Sequence, residues 1–312
     1  MGIDIGGTKA LCMAIDPADG AILATAKASS RGSGPELVET LTGLVREVEA
    51  ASGQVAESIG IGIAGLVTRD GVVRYSPNLP DIVEFPVADA MRAATGLPVA
   101  CGNDATAGTW AEHRLGAGKG SDDMLFVALG TGIGMGLVAH GTVILGANGF
   151  TGEAGHMVVD VDGPAHITGQ QGPWEYFASG NALGRLAREA AADGRFAHGV
   201  DLAGSPEKVS GFHVSHGVRE AEPEAQAILD QFCDNVAVGL ANLVLILDPE
   251  VVVIAGGVSD LGEPLRAGIQ DALHHRLLGA DHRPTVEVRV ATMGSEACAI
   301  GASLMAQEMA TR

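Results

Sequence analysis

Two junctions between an apolar strand and a glycine turn each occur twice in this chain, and that duplication limits the fold more than any other feature. Asp4-Ile5-Gly6-Gly7-Thr8 is answered by Leu129-Gly130-Thr131-Gly132, and Gly62-Ile63-Ala64-Gly65 by Ile254-Ala255-Gly256-Gly257. The first copy opens with three short strands, Met1 to Ile5, Ala10 to Ile15 and Ala21 to Ala26, the second turn being Asp16-Pro17-Ala18-Asp19-Gly20. Pro35 starts a helix in which Leu37, Leu41, Leu44, Val45 and Val48 recur at helical spacing until Gly53 closes it. Ser58 to Ile63 and Val99 to Cys101 read as buried strands, followed by a helix from about Ala105 to Leu115 with Trp110 and Leu115 facing inward. The outline is βββαβαβα.

The second copy repeats the plan, with strands Leu125 to Leu129, Met135 to Val138 and Thr142 to Leu145 around a glycine hairpin. After Pro223, Leu229, Phe232, Val236, Leu240, Leu243 and Leu247 define a long helix that leads into the apolar strand Val251 to Ile254. Two similar α/β lobes facing each other across a cleft are expected. Their spans are 1–115 and 116–299, with a C-terminal helix over 300–312 as a candidate to complete the first.

Composition removes several classes of partner. In 312 residues, 19 Lys and Arg stand against 38 Asp and Glu, a formal charge of −19 whose field repels phosphate backbones and anionic lipid. No nucleic-acid or membrane partner is expected, and an anionic ligand would need local dipoles and a counter-cation. The four cysteines, Cys12, Cys101, Cys233 and Cys298, are scattered without a metal or disulfide spacing, which suits a reducing cytoplasm. MGIDIGGTKA lacks the basic flank and apolar core of a signal peptide. Met124 to Phe150 carries no Lys, Arg, Asp or Glu, but its seven glycines and His140 predict strands and turns rather than a membrane span.

The glycine hairpins bring bare N–H groups and a threonine hydroxyl close enough to cradle a phosphate, and a pair of them can clamp one polyphosphate. Asp4 is placed to hold Mg²⁺, directly or through water. Gly60-Ile61-Gly62-Ile63-Ala64-Gly65 spells the dinucleotide fingerprint, yet Leu66-Val67-Thr68-Arg69-Asp70-Gly71 after it starts no helix, so that function is rejected. At Asn103-Asp104 a strand gives way to a helix. An aspartate there serves either as an N-cap or as the carboxylate that takes a hydroxyl proton in phosphoryl transfer, and position alone leaves both open. Glu153-Ala154-Gly155-His156 and Glu175 add polar groups suited to sugar hydroxyls, although exposed acids are common without any such role.

Taken together, Asp4 to Thr8, Asn103-Asp104-Ala105, Leu129-Gly130-Thr131-Gly132-Ile133-Gly134, Glu153 to His156, Gly172 to Glu175, and Asp248-Pro249-Glu250 before Ala255-Gly256-Gly257 resemble the ROK family of repressors and sugar kinases. The bacterial glucokinases of that family are the most similar, and the resemblance runs from Met1 to about Ala306. It implies the actin-like, hexokinase-type ATPase fold of two ribonuclease-H-like lobes, and ATP-dependent transfer of a phosphoryl group to the 6-hydroxyl of glucose or a related sugar. It further implies Asp104 as general base, and Asn78, Asn103, Glu153, His156, Glu175 and Gly65 as sugar contacts. Asp4, Gly6, Gly7, Thr8, Thr131, Gly132, Gly256 and Gly257 would meet ATP and Mg²⁺, and a homodimer or homotetramer is implied. The family's repressors carry a helix-turn-helix ahead of the aspartate loop, whereas three residues precede Asp4 here.

Two departures stand out. The family's Cys-x-Cys-Gly-x-x-Gly-Cys-x-Glu, which holds a structural zinc with a nearby His, reads His166-Ile167-Thr168-Gly169-Gln170-Gln171-Gly172-Pro173-Trp174-Glu175 here. His156 and His166 supply at most two of four ligands, so no zinc is expected, and Trp174 with Tyr176-Phe177 is the candidate apolar replacement. Gly102 stands where the family often has Glu, a minor change.

Overall fold

The N-terminal meander forms as three antiparallel strands, β1 (Gly2–Ile5), β2 (Lys9–Ile15) and β3 (Ile22–Ser29), in a computed structural model that describes residues 1–310. α1 (Gly34–Ser52) follows and stops at Gly53, whose φ of 68° is the left-handed conformation that a glycine adopts without a Cβ penalty. β4 (Ile59–Ile63) then runs parallel to β1. A hairpin that the sequence did not announce, β5 (Leu66–Val67) with β6 (Val73–Tyr75), precedes α2 (Val87–Thr95). β7 (Val99–Asn103) lies parallel to β4 and feeds α3 (Asp104–Arg114). Trp110 is buried as expected, but Leu115 caps α3 and is only half-buried, because the helix ends one residue earlier.

The apolar stretch Met124 to Phe150 resolves into β8 (Met124–Leu129), β9 (Ile133–Ala139) and the short β10 (Thr142–Val143) with their turns. Next come α4 (Trp174–Ala178), α5 (Gly180–Ala192), α6 (Ala197–Ala203), α7 (Gly211–Arg219) and α8 (Pro223–Leu247). By length and composition α8 is apolar enough to cross a membrane, yet Leu229, Phe232, Val236, Leu240 and Leu243 are buried inside the protein, as in a core helix. β11 (Val251–Ala255), α9 (Glu263–Arg276), β12 (Glu287–Val290) and α10 (Ala297–Ala310) complete the order. Residues 311 and 312 of the anticipated C-terminal helix lie outside the described residues.

The two five-stranded sheets have the orders β3-β2-β1-β4-β7 and β10-β9-β8-β11-β12, the same plan in the same chain sequence. The paired motifs occupy equivalent places, at the ends of β1 and β8 and of β4 and β11. By internal contacts the chain divides into two compact units. One holds Met1–Phe126, Gly136–Gly152 and the described residues from Thr292; the other holds Val127–Met135 and Glu153–Ala291.

In the first unit α10 packs on α3, β1 and β4 at a separation that only small residues allow. A Cβ at Gly60 would lie 1.7 Å from the Ala302 carbonyl oxygen, and one at Gly301 would lie 1.7 Å from that of Ala107. This gives the glycines of the rejected fingerprint a physical role in close helix-on-sheet packing. Buried Glu112 on α3 ties the same region together: its carboxylate accepts from the N–H groups of Ala117 (2.8 Å), Thr292 (2.9 Å) and Met293 (2.8 Å).

Candidate active site

The strand-to-helix junction at Asn103-Asp104 divides two roles between two residues. Asn103 is the N-cap, its Oδ1 accepting from the N–H groups of Ala105 (2.8 Å) and Thr106 (3.2 Å), a contribution of about 1 kcal/mol to the helix. Its amide nitrogen donates to the Gly65 carbonyl at 3.1 Å, drawing Gly65 to the end of β7. Gly65 has a φ of 131°, and a Cβ there would stand 2.2 Å from the Tyr75 carbonyl oxygen. With the cap assigned to Asn103, Asp104 becomes the first helical residue. One of its oxygens accepts from Ala105 N–H at 2.8 Å, and among the described residues no side chain bonds the other.

Burial pushes the Asp104 carboxyl above its ordinary range, and the nearby charge of Asp4 adds to the effect. Asp4, on β1, is raised for the same first reason, partly offset by a hydrogen bond from the Cys298 thiol. Cys298 itself is pushed well up by burial and by the two carboxylates, so it remains a thiol and a donor. Two half-buried carboxylates that have no basic partner among the described residues form a site that a divalent cation or an incoming proton would relieve.

The Gly6-Gly7 turn closes with Gly6 N–H donating to the Lys9 carbonyl at 3.0 Å, and the Ser30 hydroxyl donates to the Gly6 carbonyl at 2.6 Å. Gly7 passes so close to Asn78 that a Cβ would meet the Asn78 backbone oxygen at 3.0 Å. Asp4, Gly6, Gly7, Gly65, Asn78, Asn103 and Asp104 thus belong to one unit. Cys298 and Ser30 are the neighbours that sequence reasoning missed. Neither has a local motif, since Cys298 reaches Asp4 only through the packing of α10.

In the second unit the β8–β9 hairpin is closed by Gly130 N–H donating to the Gly132 carbonyl at 2.9 Å. Glu175, in the first turn of α4, accepts from Ile133 N–H at 2.7 Å, and a Cβ at Gly132 would lie 2.1 Å from the same carboxylate oxygen. Its other oxygen faces His166 Nε2 at 3.4 Å. Glu175 is therefore held against the hairpin. Gly256, with φ 83°, sits where a Cβ would be 2.5 Å from the Leu129 carbonyl oxygen, while exposed Thr131 caps the hairpin and Gly257 starts a short 3₁₀ turn. Glu153 and His156 Nε2 pair at 3.9 Å.

The zinc ligands of the family pattern do not fit this loop. His166 Nδ1 is engaged with the Thr168 hydroxyl at 3.0 Å, and among the described residues neither His156 nor His166 belongs to a group of three potential metal ligands. Trp174 is instead fully buried, its indole N–H donating to the Asn235 carbonyl at 3.1 Å and its ring filling the space left by Gly239 on α8. Tyr176 and Phe177 meet edge to face at 5.2 Å, and the Arg185 guanidinium lies 4.0 Å from the Tyr176 ring centroid.

Sheets of matching order, glycine hairpins at equivalent strand ends and a carboxylate at a helix start are features of a nucleotide-dependent phosphotransferase fold. A family model described as the ROK family matches residues 1–309, and the chain belongs to that family. A glucokinase of Streptomyces coelicolor is 34% identical over 312 residues, covering 99% of this chain and 97% of that protein. The crystal structure of a ROK family glucokinase from Streptomyces griseus in complex with glucose and AMPPNP superposes with a TM-score of 0.85 at 35% identity, covering 98% of each chain. An N-acetylmannosamine kinase of Salmonella arizonae is 30% identical over 312 residues, covering 98% of each.

Proposed function

We propose that this protein is an ATP-dependent sugar kinase that transfers the γ-phosphoryl group of ATP to the 6-hydroxyl of glucose or a closely related hexose. The observation that carries this is the division of labour at the β7–α3 junction, where Asn103 takes the cap and frees one Asp104 oxygen to accept a proton. Asp104 is the general base: it removes the proton from the 6-hydroxyl as that oxygen attacks in line. Asn78, Asn103, Gly65, Glu153, His156 and Glu175 bind the sugar hydroxyls. The N–H groups of Gly6, Gly7, Thr131, Gly132, Gly256 and Gly257, with the Thr8 hydroxyl, hold the phosphates. Asp4 is the residue to hold Mg²⁺, which when bound neutralises phosphate charge. A coupled ADP-release assay with ATP across glucose, glucosamine, N-acetylglucosamine, mannose and fructose tests the proposal. Glucose is expected to give the highest kcat/KM; a fructose or non-sugar optimum would overturn it.

A second reading, an amino- or N-acetylamino-sugar kinase, has one observation in its favour. Glu175 starts a helix whose preceding loop lacks the thiolates of the family pattern, and reshaping a contact near C2 is how acceptance of a different C2 group would arise. Glu175→Gln keeps the hydrogen bond to Ile133 N–H within reach and removes a charge. It is expected to raise the sugar KM about tenfold, a loss of about 1.4 kcal/mol in binding, with kcat nearly unchanged. A fall in kcat at constant KM would show that Glu175 acts in the chemical step instead.

The loop over 163–175 is proposed to hold its shape without zinc, supported by the burial of Trp174 against α8. Chelator-treated protein is expected to keep its sugar KM. A rise in KM on chelation, restored by zinc, would overturn this.

A further inference from the structure

Outside the residues assigned to catalysis, the junction of α6, α7 and α8 gathers His198, His216 and Glu220, whose ligand atoms all lie within 4.8 Å of one another. We infer that these three side chains form a binding site for a divalent transition metal of the zinc type.

The geometry favours a shared ion over pairwise bonds. His198 Nε2 lies 3.2 Å and His216 Nδ1 lies 3.4 Å from the same oxygen of Glu220. Both nitrogens are buried, and among the described residues neither has a hydrogen-bond partner. Ligands about 2.0 to 2.2 Å from a tetrahedral centre stand about 3.3 to 3.5 Å apart, so these separations are those of adjacent corners of one coordination sphere. Two imidazoles and one carboxylate, with a corner left for water, is a donor set suited to Zn²⁺, with Co²⁺, Ni²⁺ and Cu²⁺ as competitors.

Local structure supports the arrangement. His216 and Glu220 are four residues apart at the end of α7, which places them on one face. Ala221 then adopts a φ of 57°, a left-handed turn that reverses the chain into α8 and brings Glu222 back toward the same point. Glu222 Oε1 lies 3.8 Å from His198 Nδ1, on the far side of the ring from the proposed ion, where a carboxylate fixes the tautomer of a metal-bound histidine. His198 and His216 rings face each other with centroids 5.9 Å apart and planes inclined by 28°. An ion here would tie α6 to the end of α7.

The test uses the full chain, stripped by a chelator and titrated with Zn²⁺ by calorimetry and with Co²⁺ by visible absorption. One equivalent of either metal is expected to bind, with the intense ligand-field bands of tetrahedral Co²⁺, displaced by Zn²⁺. His198→Ala with His216→Ala should weaken binding at least 100-fold and abolish the bands, and Glu220→Gln should weaken it about tenfold. Kinase activity of the stripped variants should match that of the stripped wild type, and His274→Gln with His275→Gln should leave binding intact. No binding, binding that survives the double substitution, or weak octahedral Co²⁺ spectra in the wild type would each overturn the proposal. If the double variant fails to fold, Glu220→Gln and the wild-type spectrum decide. Zinc that is retained by the double variant would point to the loop over 163–175.

Discussion

Asp104→Asn is expected to lower kcat by about 100-fold or more while sugar binding is largely retained, because the amide keeps the shape of the side chain and cannot accept the hydroxyl proton. The wild-type kcat/KM should also fall on the acid side at a pH above the ordinary carboxylate range, since burial, with Asp4 behind it, raises the Asp104 pKa and the base works only when ionised. The stability effect has the opposite sense. A carboxyl whose folded pKa is raised contributes stability below its unfolded pKa, and that stability is lost as pH rises through the folded value. At neutral pH the ionised Asp104 therefore weighs against folding. The asparagine variant should melt at or above the wild-type Tm at pH 7, with its advantage gone below about pH 4, where both states are protonated. Retention of more than about a tenth of kcat would remove Asp104 from the role of base.

Glu112→Ala is expected to cost about 4 kcal/mol, among the largest single-residue effects in the first unit. The carboxylate is fully buried and receives the N–H groups of Ala117, Thr292 and Met293, with the Thr292 hydroxyl at 3.4 Å. Truncation leaves these donors unpaired and opens a void. Calorimetry should show a Tm lower by about 10 °C. Glu112→Gln should cost less, because one oxygen still serves Thr292 and Met293 while the new NH₂ group confronts the Ala117 N–H. Equal Tm values for Glu112→Ala and wild type would show that the donors find water instead.

How much of this was legible in the sequence follows from where the information lies. α1 and α8 were readable because each buries one stripe and is bounded by Pro35 and Gly53 or by Pro223. α10 was harder to place: Ala299, Ile300, Ala302, Leu304 and Met305 are buried around much of its circumference, so no stripe separates inside from outside. The β5–β6 hairpin escaped because its strands are two and three residues long. Asn103-Asp104 and the glycine hairpins announced themselves as local motifs. The cap, however, belongs to Asn103, a distinction that depends on backbone dihedrals. Cys298 beside Asp4, and Glu112 beneath Thr292, were not readable, because each partnership spans most of the chain and leaves no mark on the residues nearby.

The late arrival of α10 bears on how the protein is made. β1 and β4 present Gly2 and Gly60 to the carbonyls of Ala299 and Ala302, so these strands lack their covering layer until α10 has been synthesised. At translation speeds of about 5 to 20 residues per second, roughly 10 to 40 s separate the emergence of α3 from that of α10. Throughout that interval the earliest sheet of the nascent chain is a half-covered apolar surface, and a chaperone that shields it on the ribosome would raise the yield of native protein without altering its final stability.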